Sequence, residues 1–257
     1  MNRSVIVVAG LVSVSAVIAA WSSAAESPKR ARRPKAEAAA KAENLAVPKI
    51  PEADKDGWIA LFDGTDLNGW HMRNPKRKAY WVARDGLLIN EQNEGTDIIS
   101  DVKLMDQELH VEFSCPPGGN SGVYLQGRYE VQVCDSAKAK APEKHQCGSI
   151  YDRIAPKMVV KQDLDPAWQS LDIQFIAPRL GPDGKVVKLP RITIRHNGNM
   201  ATQKPELIID NAEIPGGVTG SAVDNKEGTP AGLMLQGDHS KMKYRNILYR
   251  PVQGENK

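Results

Sequence analysis

Large rings are scarce in this chain. Phe, Trp and Tyr make up 5% of 257 residues, against 21 glycines and 17 prolines. So many turn formers and so few aromatics lean towards short strands joined by tight turns. Helical spacing is missing too, because no long run in the sequence repeats its apolar residues at i, i+3 and i+4. Cysteine is nearly absent, at 3 residues, and no Cys/His spacing matches a structural zinc site. No Cys follows the N-terminal apolar run, so nothing there marks a lipid-modified terminus. Excess charge is small, a formal +3. Residues 1–52 hold 8 Lys and Arg against 4 Asp and Glu, which leaves the remainder near −1. A nearly neutral domain offers no basic face to nucleic acid.

The N-terminus has the shape of an export signal. Arg3 precedes an apolar run from Val5 to Trp21, and Ser23-Ala24-Ala25 supplies the small residues that a signal peptidase reads. Residues 1–25 are therefore expected to be a signal peptide and the protein periplasmic or secreted; an uncleaved membrane anchor is the alternative. Residues 26–53 form a flexible basic linker around Lys29, Arg30, Arg32, Arg33 and Lys35, suited to contact with the cell envelope. A domain is expected over 54–252, with a short tail at 253–257. Cys134 and Cys147 flank a polar segment and are the candidate disulfide in an exported protein, which leaves Cys115 over.

Beyond the linker the chain reads as short strands. Leu109, Val111 and Phe113 alternate with His110, Glu112 and Ser114; Leu171, Ile173 and Phe175 alternate with Asp172 and Gln174; Ile192 and Ile194 lead to the turn signal Asn197-Gly198. Many alternating strands without intervening helices predict an all-β, antiparallel two-sheet jelly-roll sandwich. The stretch Gly122–Ser136 reads as one strand with an apolar face (Leu125, Tyr129, Val131, Val133) and a polar face (Gln126, Arg128, Glu130, Gln132). Residues 135–167 carry little β patterning but include Ile150, Tyr151 and Ile154, which predicts an ordered loop laid over a sheet.

Several blocks together carry a resemblance. They are Gly57-Trp-Ile-Ala-Leu-Phe-Asp-Gly-Thr-Asp-Leu-Asn-Gly-Trp70, Asn120-Ser-Gly-Val-Tyr124, Gly127-Arg-Tyr-Glu-Val-Gln-Val133 with Asp135, His196-Asn-Gly198, Gly232-Leu-Met-Leu-Gln236 with His239, and Tyr244-Arg-Asn-Ile247. In this order the chain resembles the 3-keto-disaccharide hydrolase domain family from Gly57 to Pro251. One departure is Asp106-Gln-Glu-Leu109, where the family usually has an aromatic after the Asp. The resemblance implies a concanavalin A-like jelly roll and an exported bacterial enzyme acting on glycosides already oxidised at C3. A ketone there acidifies the C2 proton, so a base can remove it, the C1 aglycone leaves by elimination, and water adds back.

Such a site needs a base, a stabiliser for the enolate oxygen and a proton donor. Glu130 is the first candidate base, with His239, His196 and Asp135 as further catalytic candidates. An ion pair with arginine is the competing reading for Glu130, and a buried or turn-packing role competes for each of the others. Asn120, Gln126, Arg128, Gln132, Gln236 and Arg245 are candidate sugar contacts, and Trp168 a candidate stacking platform. No metal site is specified, although a divalent cation would suit the enolate; no other cofactor is expected. The expected partner is carbohydrate, an oxidised glycoside. A lectin-like glycan-binding module is the alternative function. Two-carboxylate glycosidase chemistry is the weakest choice, since Glu130 has no acid at i±2 on its strand.

Overall fold

The computed structural model describes residues 52–201 and 204–252. The expected signal segment, nearly all of the linker and the tail lie outside the described residues. Fifteen strands form in chain order. The first five are β1 (Ile59–Ala60), β2 (Trp70–Met72), β3 (Trp81–Arg84), β4 (Leu87–Asn90) and β5 (Ile98–Ser100). Next come β6 (Gln107–Ser114), β7 (Asn120–Leu125), β8 (Tyr129–Cys134), β9 (Gln169–Ile176) and β10 (Arg179–Leu180). The last are β11 (Val186–Lys188), β12 (Arg191–Asn197), β13 (Glu206–Glu213), β14 (Met234–Leu235) and β15 (Met242–Pro251).

Every strand pairing is antiparallel, and the strands assemble into an eight-stranded and a five-stranded sheet with one small hairpin, β10–β11. The larger sheet runs β13-β12-β9-β6-β15-β4-β3, with β1 joining β15 alongside β4. The smaller runs β2-β5-β14-β7-β8. No helix occurs among the described residues. The expected all-β sandwich is therefore the observed fold.

The alternation read in the sequence explains why the sheets stack. Val111, Phe113, Leu171, Ile173, Ile192 and Ile194 of the larger sheet are buried with Val123, Leu125, Val131, Val133 and Leu235 of the smaller one in a single core. Each such side chain contributes about 1.5–3 kcal/mol when fully buried. A polar bond fixes the sheets to each other: Ser121 Oγ lies 2.8 Å from the Tyr244 hydroxyl and donates to Gln236 O at 2.9 Å.

Two expectations change. Residues 122–136 are not one strand but span both arms of the β7–β8 hairpin. Gln126 (φ 53°) and Gly127 (φ 63°) are both left-handed, and Arg128 N–H closes the turn on Leu125 O at 3.0 Å. The cysteines are all free, so Cys134 and Cys147 are not bridged. Burial pushes all three thiols up, Cys115 to about 12, which makes them unreactive core groups.

Residues 148–151 lie along the otherwise open edge of β8. Gln132 N–H donates to Ser149 O at 3.0 Å, Gly148 N–H to Gln132 O at 2.8 Å, and Tyr151 N–H to Glu130 O at 3.1 Å. This segment covers an edge that would otherwise present unpaired amides.

Candidate active site in the five-stranded sheet

The outer face of the smaller sheet carries the polar groups. Register places His71, Ile99, Met234, Tyr124 and Glu130 in one row across the strands. Just beyond the strand ends a second row follows: Arg73 N–H donates to Asp97 O at 2.9 Å, Gln236 N–H to Gly122 O at 3.0 Å, and Gly122 faces Gln132. Gly122 supplies no side chain, so this second row has a notch at its centre. A Cβ there would sit 2.7 Å from both Glu130 Oε1 and Tyr124 Cε2. The carboxylate of Glu130 therefore leans into the space that glycine leaves free.

Glu130 is 4% exposed, and among the described residues no Arg or Lys forms an ion pair with it. The Tyr124 hydroxyl hydrogen-bonds its carboxylate and His239 lies near enough to favour its charge, while Asp152 and Asp97 oppose it. Burial outweighs the favourable contacts and raises the carboxyl to about 7. A carboxyl balanced between acid and base near neutrality is suited to moving a proton. Tyr124 is in turn raised, by its own burial first and by Glu130 second.

The neighbours frame this carboxylate. The Gln132 amide donates to Asn120 Oδ1 at 3.0 Å in one orientation; turned over, it donates to Glu130 Oε1 at 3.0 Å. The second orientation suits a carboxylate better, because it gives the buried charge a donor. Gln236 is 6% exposed and its Oε1 has no partner, which leaves an acceptor beside the notch. Tyr151 and the half-exposed pair His145–Asp152 (2.5 Å) lie along the β8 side. Across the top, residues 219–223 pass over Glu130: a Cβ on Gly220 would meet Glu130 Oε2 at 2.7 Å and the Tyr124 hydroxyl at 3.4 Å.

The residues singled out from sequence fall into two groups. Glu130, Gln132, Gln236, Asn120 and His239 share the smaller sheet's outer side. His239 is exposed and hydrogen-bonded to Asp238. The others are elsewhere. Gln126 is in the hairpin turn, buried, and donates to Leu104 O at 2.9 Å. Arg128 is 1% exposed and bonded to Asp224 Oδ1 at 2.7 Å and Thr229 O at 2.8 Å. Neither belongs to the Glu130 face, because the turn breaks the alternation that grouped them.

His196 is a core residue. It follows its strand's parity inward, stacks on Phe113 with ring centroids 6.0 Å apart, and faces Gln169 Oε1 at 3.1 Å. Burial lowers it to about 4. Asp135 clasps a loop, accepting from Gly118 N–H at 2.9 Å and Ala137 N–H at 3.0 Å. Trp168 and Arg245 belong to the larger sheet: the guanidinium lies 4.0 Å over the indole and pairs with Glu112 at 2.5 Å. Glu112 also accepts from Asn246, whose left-handed φ of 46° marks a bulge in β15.

Tyr124, Arg73, Asp97, Gly122, Gly220, Tyr151 and Asp152 were not singled out from sequence. Tyr124 and Gly122 were within reach, since parity with Glu130 across a hairpin follows once Gly127 is read as a turn. The rest are brought in by strand order and loop placement. Among the described residues no three His, Cys, Asp or Glu side chains converge as ligands for a cation.

The structure is thus a two-sheet β-sandwich that carries a buried carboxyl, raised to about 7, and amide side chains on one sheet face. The family is specified by comparison: the 3-keto-alpha-glucoside-1,2-lyase-like domain profile matches residues 57–250, and the chain belongs to that family. A Bacteroides thetaiotaomicron protein named 3-keto-disaccharide hydrolase is 32% identical over 150 residues, 45% of this chain and 50% of that protein. The match thus spans about half the length of that relative. A crystal structure from Parabacteroides distasonis, described as a candidate glycosyl hydrolase, aligns with a TM-score of 0.63 at 28% identity over 76% of this chain and 84% of that one. Another from the same organism, described in the same words, aligns at 0.55 and 16% identity over 80% of this chain and 100% of that one, which speaks for the fold alone.

Proposed function

We propose that this protein cleaves glycosides carrying a ketone at C3, with Glu130 as the base that removes the C2 proton. The observation that carries the reading is the state of Glu130: buried, without an Arg or Lys partner among the described residues, raised to about 7 and leaning into the Gly122 notch. In the first step the C2–H bond breaks, the proton goes to Glu130, and the electron pair moves through the enolate to form the C1=C2 bond. The C1–O bond to the aglycone breaks, and His239 is the donor placed to protonate the leaving oxygen. Water then adds at C1 and passes a proton back to His239. Glu130, its proton exchanged with solvent once the aglycone has left, protonates C2, and the free 3-keto sugar leaves. The Gln132 amide supplies a hydrogen bond to the developing enolate, and Gln236 Oε1 accepts from a sugar hydroxyl.

Export through residues 1–25 and tethering by the basic linker are part of the same proposal; they rest on the sequence, and fractionation of the native host checks them. The chemistry is tested with the purified chain on a 3-oxidised glucoside in D₂O. Aglycone release with deuterium incorporated at C2 of the sugar is expected, together with no release from the unoxidised parent. Release without C2 exchange would point to direct displacement at C1 instead. Saturable binding without turnover would turn the reading to a glycan-binding module.

A further inference from the structure

Residues 219–223 are held to the smaller sheet at both ends and at the middle. At one end Thr219 N–H donates to Arg128 O at 2.9 Å and Thr219 Oγ1 accepts from Glu130 N–H at 2.7 Å. At the other, Val223 N–H donates to Gly127 O at 2.8 Å. Both contacts are to the β7–β8 hairpin beneath. The middle is held from the far edge of the sheet. Arg73 Nη1 donates to Ser221 O at 2.7 Å and Nη2 to Ala222 O at 2.9 Å, while Nη1 also meets Asp97 Oδ2 at 2.9 Å. Asp97 is fixed in turn by Gly237 N–H at 2.9 Å.

The fork geometry matters. A guanidinium spreads two successive carbonyls and a carboxylate over two nitrogens of a planar fork, whereas an ammonium presents all its donors from a single atom. The strap residues between these anchors are small, and Gly220 lies directly over Glu130 Oε2 and the Tyr124 hydroxyl. Ser221 is exposed, whereas Glu130 beneath is almost wholly covered. One side chain at the β2 edge therefore holds the middle of a short, glycine-containing strap that covers the carboxylate.

We propose that Arg73 is a positioning residue that latches residues 219–223 over Glu130 and keeps that carboxylate out of water. Its consequence for turnover rests on the reading of Glu130 as the base; the latch itself does not. The groups facing Glu130 are Tyr124 from β7, His239 after β14, Asp152 from the segment along β8 and Asp97 after the turn into β5. Arg73→Lys keeps the positive charge beside Asp97 but loses the fork, so it separates the latch from electrostatics.

The test uses the full chain with ¹³C-labelled glutamate, the Glu130 signal being identified by its absence in Glu130→Gln. In Arg73→Lys the Glu130 carboxyl is expected to titrate roughly one pH unit lower, because water reaches it. Amide exchange at Ala222 and Val223 is expected to rise about tenfold. Arg73→Gln, which keeps part of the grip, should give intermediate values and serves if the lysine variant melts. Unchanged exchange overturns the latch. Faster exchange with an unchanged Glu130 titration overturns its role in keeping the carboxylate dry. If the wild type cleaves the oxidised glucoside, the acid limb of kcat/KM should move with the titration. If it cleaves nothing, the functional reading fails while the two substrate-free measurements still decide the latch.

Discussion

Glu130 shows how one side chain's state follows from its surroundings. A carboxylate this deeply covered loses hydration that Tyr124 and His239 only partly replace, so its proton is held to about 7. Glu130→Gln keeps the shape and removes the base. Turnover on a 3-oxidised glucoside should fall by about 10²–10⁴-fold, with the circular dichroism spectrum unchanged. The sequence placed this residue on a polar strand face, and alternation alone was sufficient for that. It could not say that the face is covered, because coverage comes from residues 219–223, nearly ninety positions away. Gly122 is the matching case. Gly122→Ala would set a methyl 2.7 Å from Glu130 Oε1 and Tyr124 Cε2. Overpacking of this kind costs about 1–3 kcal/mol. We expect a lower midpoint in urea and a loss of turnover larger than the stability change accounts for, since the group displaced is the base itself.

At the scale of elements, the β7–β8 hairpin decides which side chains share the site. Gln126 and Arg128 match Glu130 and Gln132 in chemistry and in simple parity, yet the left-handed pair Gln126–Gly127 turns the chain between them. Arg128 is then buried at the hairpin's end, where it holds the 224–229 segment through Asp224 and Thr229. Arg128→Ala strands those acceptors and unfastens a segment continuous with the strap. Breaking such a buried pair costs about 3–5 kcal/mol, reduced here because Asp224 is 35% exposed. Urea unfolding should report a loss of about 2–3 kcal/mol, and proteolysis should begin within residues 216–229. The edge of β8 shows the same logic from the other side. Residues 148–151 have no alternation to announce a strand, and only their bonds to Glu130 and Gln132 bring Tyr151 and Asp152 to the carboxylate.

At the scale of the whole molecule, two buried titratable groups work against each other. Glu130 rises from 4.5 to about 7 on folding, so the folded state holds a proton the unfolded state has lost, and stability falls as pH rises across that window. His196 drops from 6.5 to about 4, so the unfolded state holds the extra proton, and stability rises with pH across its window. Each effect amounts to about 3 kcal/mol, and the windows overlap between about 4.5 and 6.5, where the two slopes cancel. Denaturant unfolding at pH 5 and pH 6.5 should show this. Glu130→Gln should make the protein gain stability with rising pH over that range, and His196→Gln should make it lose stability. Parallel curves for wild type and both variants would contradict the burial of these groups.

The sequence by itself determined the class of fold, because period-two alternation in β6, β9 and β12 leaves one face of each strand apolar and only a second sheet can cover it. It also determined the family, through blocks from Gly57 to Ile247, and put Glu130, Gln132 and Gln236 forward as polar groups out of the core. The tertiary structure decided which of them meet. His196 went inward with its strand's parity, Trp168 and Arg245 went to the other sheet, and the thiols of Cys134 and Cys147 stayed apart. Strand order and register are set by the summed packing of residues far apart in the chain, as are the placement of Gly220 over Glu130 and of Arg73 against the strap. A local pattern specifies which face a side chain takes, but only the assembled sheets specify what faces it.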